Sequence, residues 1–158
     1  MRPASVRQTI EESLADIAEL MAWPHTNICS DGYLASDHPR SSGSFPRILA
    51  SYAGEEKPMS MVDAIHKMTG LAAQHIGITD RGKIVPGAFA DMVLFDVNTI
   101  GDRATYEQPT LPSVGIERVW VNGALVYHEG KSTGAHPGQI ISRQQDMVNV
   151  AALQKPGQ

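Results

Sequence analysis

Cysteine is almost missing from this chain of 158 residues, which carries only Cys29, and no stretch approaches the long apolar run that a membrane span requires. A lone cysteine excludes an internal disulfide and a multi-cysteine zinc site, and its simplest reading is a buried strand residue. Basic clusters are missing as well. The 13 Lys and Arg are scattered, the formal net charge is −4, and no basic stripe marks a nucleic-acid surface. Behind Met1-Arg2-Pro3-Ala4-Ser5 there is no apolar core of a signal peptide, so the cytoplasm is the expected compartment. No internal repeat and no low-complexity block appears.

What is present is the composition of a soluble globular protein, 42% hydrophobic and 19% charged, with enough chain for one domain and its core. Thr9 with Glu12 forms a capping pattern, and Ile10, Leu14, Ile17, Ala18 and Met21 recur on one face. The spacing predicts a helix from about Ile10 to Ala22, stopped by Pro24. Thr26 to Cys29 then reads as a buried strand. From Gly32 to Pro46 the chain is rich in Gly, Pro, Ser and Asp and reads as a loop. A helix resumes near Phe45 and runs through Tyr52 to Gly54. Ser60 with Asp63 caps another, with Met61, Ala64, Ile65 and Met68 on one stripe and Gly70 as its close, and Leu71 to Ile76 adds a short one.

After Asp80 the pattern turns extended. Ala90 to Asp96 has little polar alternation and predicts a strand buried on both faces. Val119-Trp120-Val121 and Ala124-Leu125-Val126-Tyr127 flank Asn122-Gly123, a strong hairpin signal because both central residues of a type I′ turn need positive φ. From about Gln144 the tail reads as weakly ordered. The helical part thus offers one central strand and the extended part about three, too few for either to close a sheet, and both look unfinished.

Ser30-Asp31-Gly32 is the stretch where chemistry is most expected. A carboxylate at the carboxyl end of a strand is held by a rigid element and opens onto the active face of an α/β protein. The same tripeptide is also an ordinary turn sequence, and composition leaves both readings open.

Taken in order, several motifs resemble the C-terminal portion of the N-acyl-D-amino-acid deacylases (D-aminoacylases) of the amidohydrolase superfamily. They are Ser30-Asp31-Gly32, His38-Pro39-Arg40, Gly43-Ser44-Phe45-Pro46-Arg47, and Lys67-Met68-Thr69-Gly70-Leu71. Asp80-Arg81-Gly82-Lys83-Ile84 follows, running into Pro86-Gly87-Ala88-Phe89-Ala90-Asp91-Met92-Val93. Gly115-Ile116 then leads to Val121-Asn122-Gly123, and Thr133-Gly134 with Pro137-Gly138 closes the series. The resemblance spans roughly Glu11 to Arg143. Pro-Gly-x-x-Ala-Asp marks only the superfamily, whereas the His-Pro-Arg to Phe-Pro-Arg loop is specific to the D-aminoacylase branch.

The resemblance implies an α/β fold, the C-terminal part of a metal-dependent (β/α)8 barrel hydrolase with a share of its small β-domain, a composite β-sandwich. Residues 1–80 would hold the last helices and last strand of the barrel, 81–143 the β-domain share, and 144–158 the tail. Asp31 would be the aspartate of the last barrel strand, in contact with metal-bound water and carrying its proton to the leaving nitrogen, chemistry that suits a fixed carboxylate. Arg40 would hold the carboxylate of the N-acyl-D-amino acid with two parallel hydrogen bonds. Its plainer role is an ion pair with Asp37 or another loop acid. His38 reads as a packing or hydrogen-bonding residue.

The resemblance also shows what is missing. The superfamily holds its metals with a His-x-His pair and further ligands. The histidines here are His25, His38, His66, His75, His128 and His136, with no such pair among them. One carboxylate does not hold a catalytic zinc, which takes three protein ligands. Asp31 therefore serves a metal only if other ligands come from a missing N-terminal part, and the chain alone is expected to be metal-free and inactive. The expected partners are the acylated substrate, and either a complementary N-terminal chain or a second copy through self-association. Nucleic acid and membrane are not expected. Two other readings stand beside this one: a cyclic amidohydrolase of the dihydropyrimidinase or dihydroorotase kind, against which Arg40 argues, and a non-catalytic interaction subunit or remnant.

Overall fold

A computed structural model describes residues 4–33 and 37–141. Four helices come first, α1 (Ala4–Ala22), α2 (Arg40–Tyr52), α3 (Met61–Met68) and α4 (Gly70–His75). Four strands follow, β1 (Met92–Phe95), β2 (Ile116–Val121), β3 (Ala124–His128) and β4 (Lys131–Ser132). The tail expected to be weakly ordered lies outside the described residues.

Helix α1 ends at Ala22, just before Pro24, but begins upstream of the Thr9 capping pattern, which lies inside it. Val6, Arg7 and Gln8 have nothing against helix, so the helix propagates through an internal Thr rather than starting there. Helix α2 likewise starts at Arg40, so the loop from Gly32 ends at Pro39, earlier than expected, and Pro46 sits inside the helix. A proline there removes the N–H that would reach the carbonyl of Ser42. Ser113 Oγ donates to that carbonyl at 2.9 Å instead, which ties α2 to the segment entering the sheet. Helix α3 is capped as expected, Ser60 Oγ accepting from Asp63 N at 3.0 Å, but Gly70 opens α4 rather than closing α3.

The sheet is an antiparallel meander in the order β1-β2-β3-β4. Its central hairpin turns on Asn122 (φ 48°) and Gly123 (φ 80°), as the sequence predicts. A second turn at Glu129-Gly130 adds β4, a strand the sequence reading did not count. Strand β1 forms, but it lies at the sheet's edge with Val93 and Leu94 exposed, correcting the expectation that both its faces are buried.

Thr26 to Cys29 is a second correction. The run is extended but pairs with no strand, its one long-range backbone–backbone bond among the described residues being Ile28 N to the carbonyl of Lys67 at 3.1 Å, and Cys29 is exposed rather than buried. A strand exists only where a neighbour supplies its ladder, and none of the described residues does.

The core gathers Ile48 and Leu49 of α2 and Ala53 just beyond it with Met59, Ala64 of α3 and Ile100 of the loop between β1 and β2, and Met21, Ile28, Phe95 and Ile116 pack against it. Helices and sheet therefore share this core. The core is thin, since no large side chain among the described residues is fully buried. Leu14, Ile17, Leu20 and Trp23 of the α1 region stand exposed, as do Ile84 and Phe89. The accessible surface is 11969 Å², where a compact monomer of this mass shows about 7,700 Å². No described helix is long and apolar enough to cross a membrane.

Candidate functional site

Asp31 leaves the extended run in a left-handed conformation, φ 48°, which an aspartate tolerates better than most side chains. The turn is held locally by Gly32 N donating to Ser30 Oγ at 3.2 Å. Gly32 lies so close to the first turn of α2 that a Cβ there would sit 2.7 Å from Ser41 Cα. Only glycine permits that approach, and it brings Asp31 beside Arg40. The guanidinium and carboxylate meet at 2.9 Å, Arg40 NH1 to Asp31 Oδ2, with the two side chains 40% and 78% exposed.

The sequence-predicted pair is thus brought together. Arg40 stands on a helix rather than in a loop, and its acid is Asp31, not Asp37. An ion pair this open contributes about 1 kcal/mol at most and is readily exchanged for another anion. Arg40 Nε is buried with no hydrogen-bond partner among the described residues, so the guanidinium keeps donor capacity for a second acceptor.

His38 holds the start of α2. Its Nδ1 accepts from Arg40 N at 3.1 Å, which places the ring proton on Nε2, where Tyr106 OH lies at 3.1 Å. The two rings also meet edge to face, 5.1 Å between centroids. His38 is the hydrogen-bonding residue the sequence suggested, and its partner lies across the fold.

Between the start of α2 and the segment from Asp102 to Glu107 lies a cleft of about 320 Å³, lined among others by His38, Arg40, Arg47, Asp102 and Tyr106. Asp31 does not line it and reaches it only through Arg40. Arg47 donates from Nε to Asp102 Oδ2 at 2.9 Å, and this bond and the aspartate's charge hold the guanidinium above its ordinary pKa against the effect of burial. Asp102 and Tyr106 escaped the sequence reading because no motif surrounds them. Only the structure links Gly43 to Asp102, a Cβ there lying 2.9 Å from Asp102 Cβ.

A metal is another matter. No group of three His, Cys, Asp or Glu gathers among the described residues. Zinc wants three protein ligands, so the donor set of the described residues does not fit one. His66 lies on α3 and His75 ends α4, and neither joins Asp31.

The family model described as "Amidohydrolase family" matches residues 7–127. The chain is 42% identical over 130 residues to a D-aminoacylase of Alcaligenes xylosoxydans xylosoxydans, covering 81% of this chain and 27% of that protein. A crystal structure of D-aminoacylase superposes on it with a TM-score of 0.77 at 40% identity, covering 82% of this chain and 28% of the other. N-acyl-D-glutamate deacylase of Bordetella bronchiseptica, solved with zinc and a phosphonate mimic of the tetrahedral intermediate, matches with a TM-score of 0.72 at 41% identity, over 80% of this chain and 27% of its own. The chain spans about a quarter of the length of these relatives.

Proposed function

We propose, from the premise that this chain belongs to the amidohydrolase family, that it is part of a hydrolase that cleaves the amide bond of N-acyl-D-amino acids. Residues 1–80 would form the last helices and last strand of an incomplete (β/α)8 barrel, residues 81–143 a share of a small β-domain, and the rest a tail. The exposed apolar faces of α1 and β1 would then be covered by the remainder of that fold, or by a second copy when the chain is alone. The proposed compartment is the cytoplasm, where a lone thiol stays reduced.

The single observation that carries the reading is the Asp31–Arg40 pair, formed by two residues of the chain's D-aminoacylase-like motifs, of which Arg40 lines the cleft. Arg40 would exchange Asp31 for the substrate carboxylate, which a guanidinium grips with two parallel bonds. Asp31, freed, would take a proton from the attacking water and deliver it to the departing amide nitrogen, which must be protonated before it can leave as an amine. Zinc accompanies one relative, and in a complete enzyme its ligands would come from outside the described residues.

Reconstitution tests this. The chain is mixed with, or fused to, the N-terminal portion of a D-aminoacylase, and release of D-amino acid from its N-acetyl derivative is followed. Turnover in the mixture and none in either part is expected. A properly assembled, zinc-loaded mixture with no turnover overturns the reading.

A further inference from the structure

We infer that Lys67 is a positioning residue for Asp31. It is the only buried charged side chain among the described residues, 4% exposed on α3. Its Nζ donates to the carbonyl of Trp23 and, at 3.0 Å, to that of Thr26. Its backbone carbonyl accepts from Ile28 N at 3.1 Å. One residue therefore grips the run from Trp23 to Ile28 at three points, and Asp31 follows three residues later.

Nothing else among the described residues ties that run's backbone across the chain. Trp23 N returns to Glu19 and Thr26 N to Trp23, both local bonds. A run without a ladder has no fixed height or direction of its own, so the tether from Lys67 stands in for the missing strand neighbour. A packing role would not call for an ammonium. Burying that charge is costly unless it is well bonded, and here it meets the two carbonyls just beyond the C-terminal end of α1, where the helix dipole also favours a cation.

The inference rests on the proposed role of Asp31, and its test separates the two. Backbone hydrogen exchange is measured first on the chain as it is. Lys67→Met keeps the stem and removes the ammonium. It is expected to speed exchange at Ile28 roughly tenfold or more, with β2 and β3 unchanged, and Lys67→Arg should restore part of the protection. Unchanged exchange at Ile28 overturns the inference, and so does acceleration spread evenly over the hairpin, which marks an ordinary core residue.

In the reconstituted enzyme, Lys67→Met should lower kcat roughly 100-fold with KM little altered, because a displaced carboxylate affects the reaction more than binding. Normal kcat in Lys67→Met beside an inactive Asp31→Asn overturns the inference and spares the reading of Asp31. An active Asp31→Asn overturns that reading, and the positioning role with it.

Discussion

Two short extended runs in this chain each end on a residue in the left-handed conformation followed by a glycine. Thr26 to Ser30 stops at Asp31 and Gly32, and β2 stops at Asn122 and Gly123. Asp31 and Asn122 share the same left-handed φ of 48°. One run becomes a central strand of a four-stranded sheet and the other, among the described residues, makes long-range backbone bonds only to Lys67. The difference lies in where the partner is. The hairpin's second strand begins at Ala124, so its ladder closes at almost no entropic cost, whereas the Asp31 run has no strand neighbour among the described residues.

The comparison is broken most severely at Asp31 itself. In the reconstituted enzyme Asp31→Asn should lower kcat by about a thousandfold or more, the worth of a positioned acid–base group, with the melting temperature unmoved. Near-normal turnover would return the Asp31 run to the status of a plain turn. Gly32→Ala comes next. The added Cβ drives against Ser41, so activity should fall roughly 10- to 100-fold through displacement of Asp31. Stability should fall as well, because the atom met is backbone of α2 and either the turn or the helix must shift.

The mirror experiment is Gly123→Ala, where no atom lies within 4 Å of the new Cβ and the penalty is the left-handed backbone alone. It should cost about 1–2 kcal/mol of stability, read by denaturant unfolding, and leave the chemistry untouched. Equal effects of the two alanines on activity would erase the distinction between the runs.

The smallest effect is a pH dependence. Asp91 accepts from Asn122 N at 2.7 Å and pairs with Arg81. Burial pushes its pKa up, but these partners outweigh it and hold the carboxyl below its ordinary value. A depressed folded-state pKa means stability present above the unfolded carboxylate's pKa and lost as pH falls through the folded one. The hairpin side should therefore weaken below about pH 4, and Asp91→Asn should flatten that part of the stability–pH curve. An identical acid limb in the variant would remove Asp91 from the account.

Much of this was legible because it is local. Ser60 caps α3, Pro24 follows the end of α1, and Asn122-Gly123 makes its turn, since each signal and its consequence lie within a few residues. The start of α2 was misplaced because Pro46 reads as a helix breaker, and the serine that satisfies the carbonyl it orphans, Ser113, is far away in sequence. At the site, the motif residues Asp31 and Arg40 could be named from the chain alone. Their 2.9 Å contact could not, because it depends on how closely Gly32 approaches α2.

Short-range spacing settled the cap of α3, the end of α1 and the hairpin, because backbone sterics and capping act over a turn or two, whereas Asp31 and Arg40 were singled out by the motifs' resemblance to a family. The fold alone decided that Asp102 clamps Arg47, that Tyr106 meets His38 and that Lys67 anchors the run before Asp31. Those contacts join residues 41 to 68 positions apart, and an interaction of that span is set by how the elements pack, which no local pattern encodes.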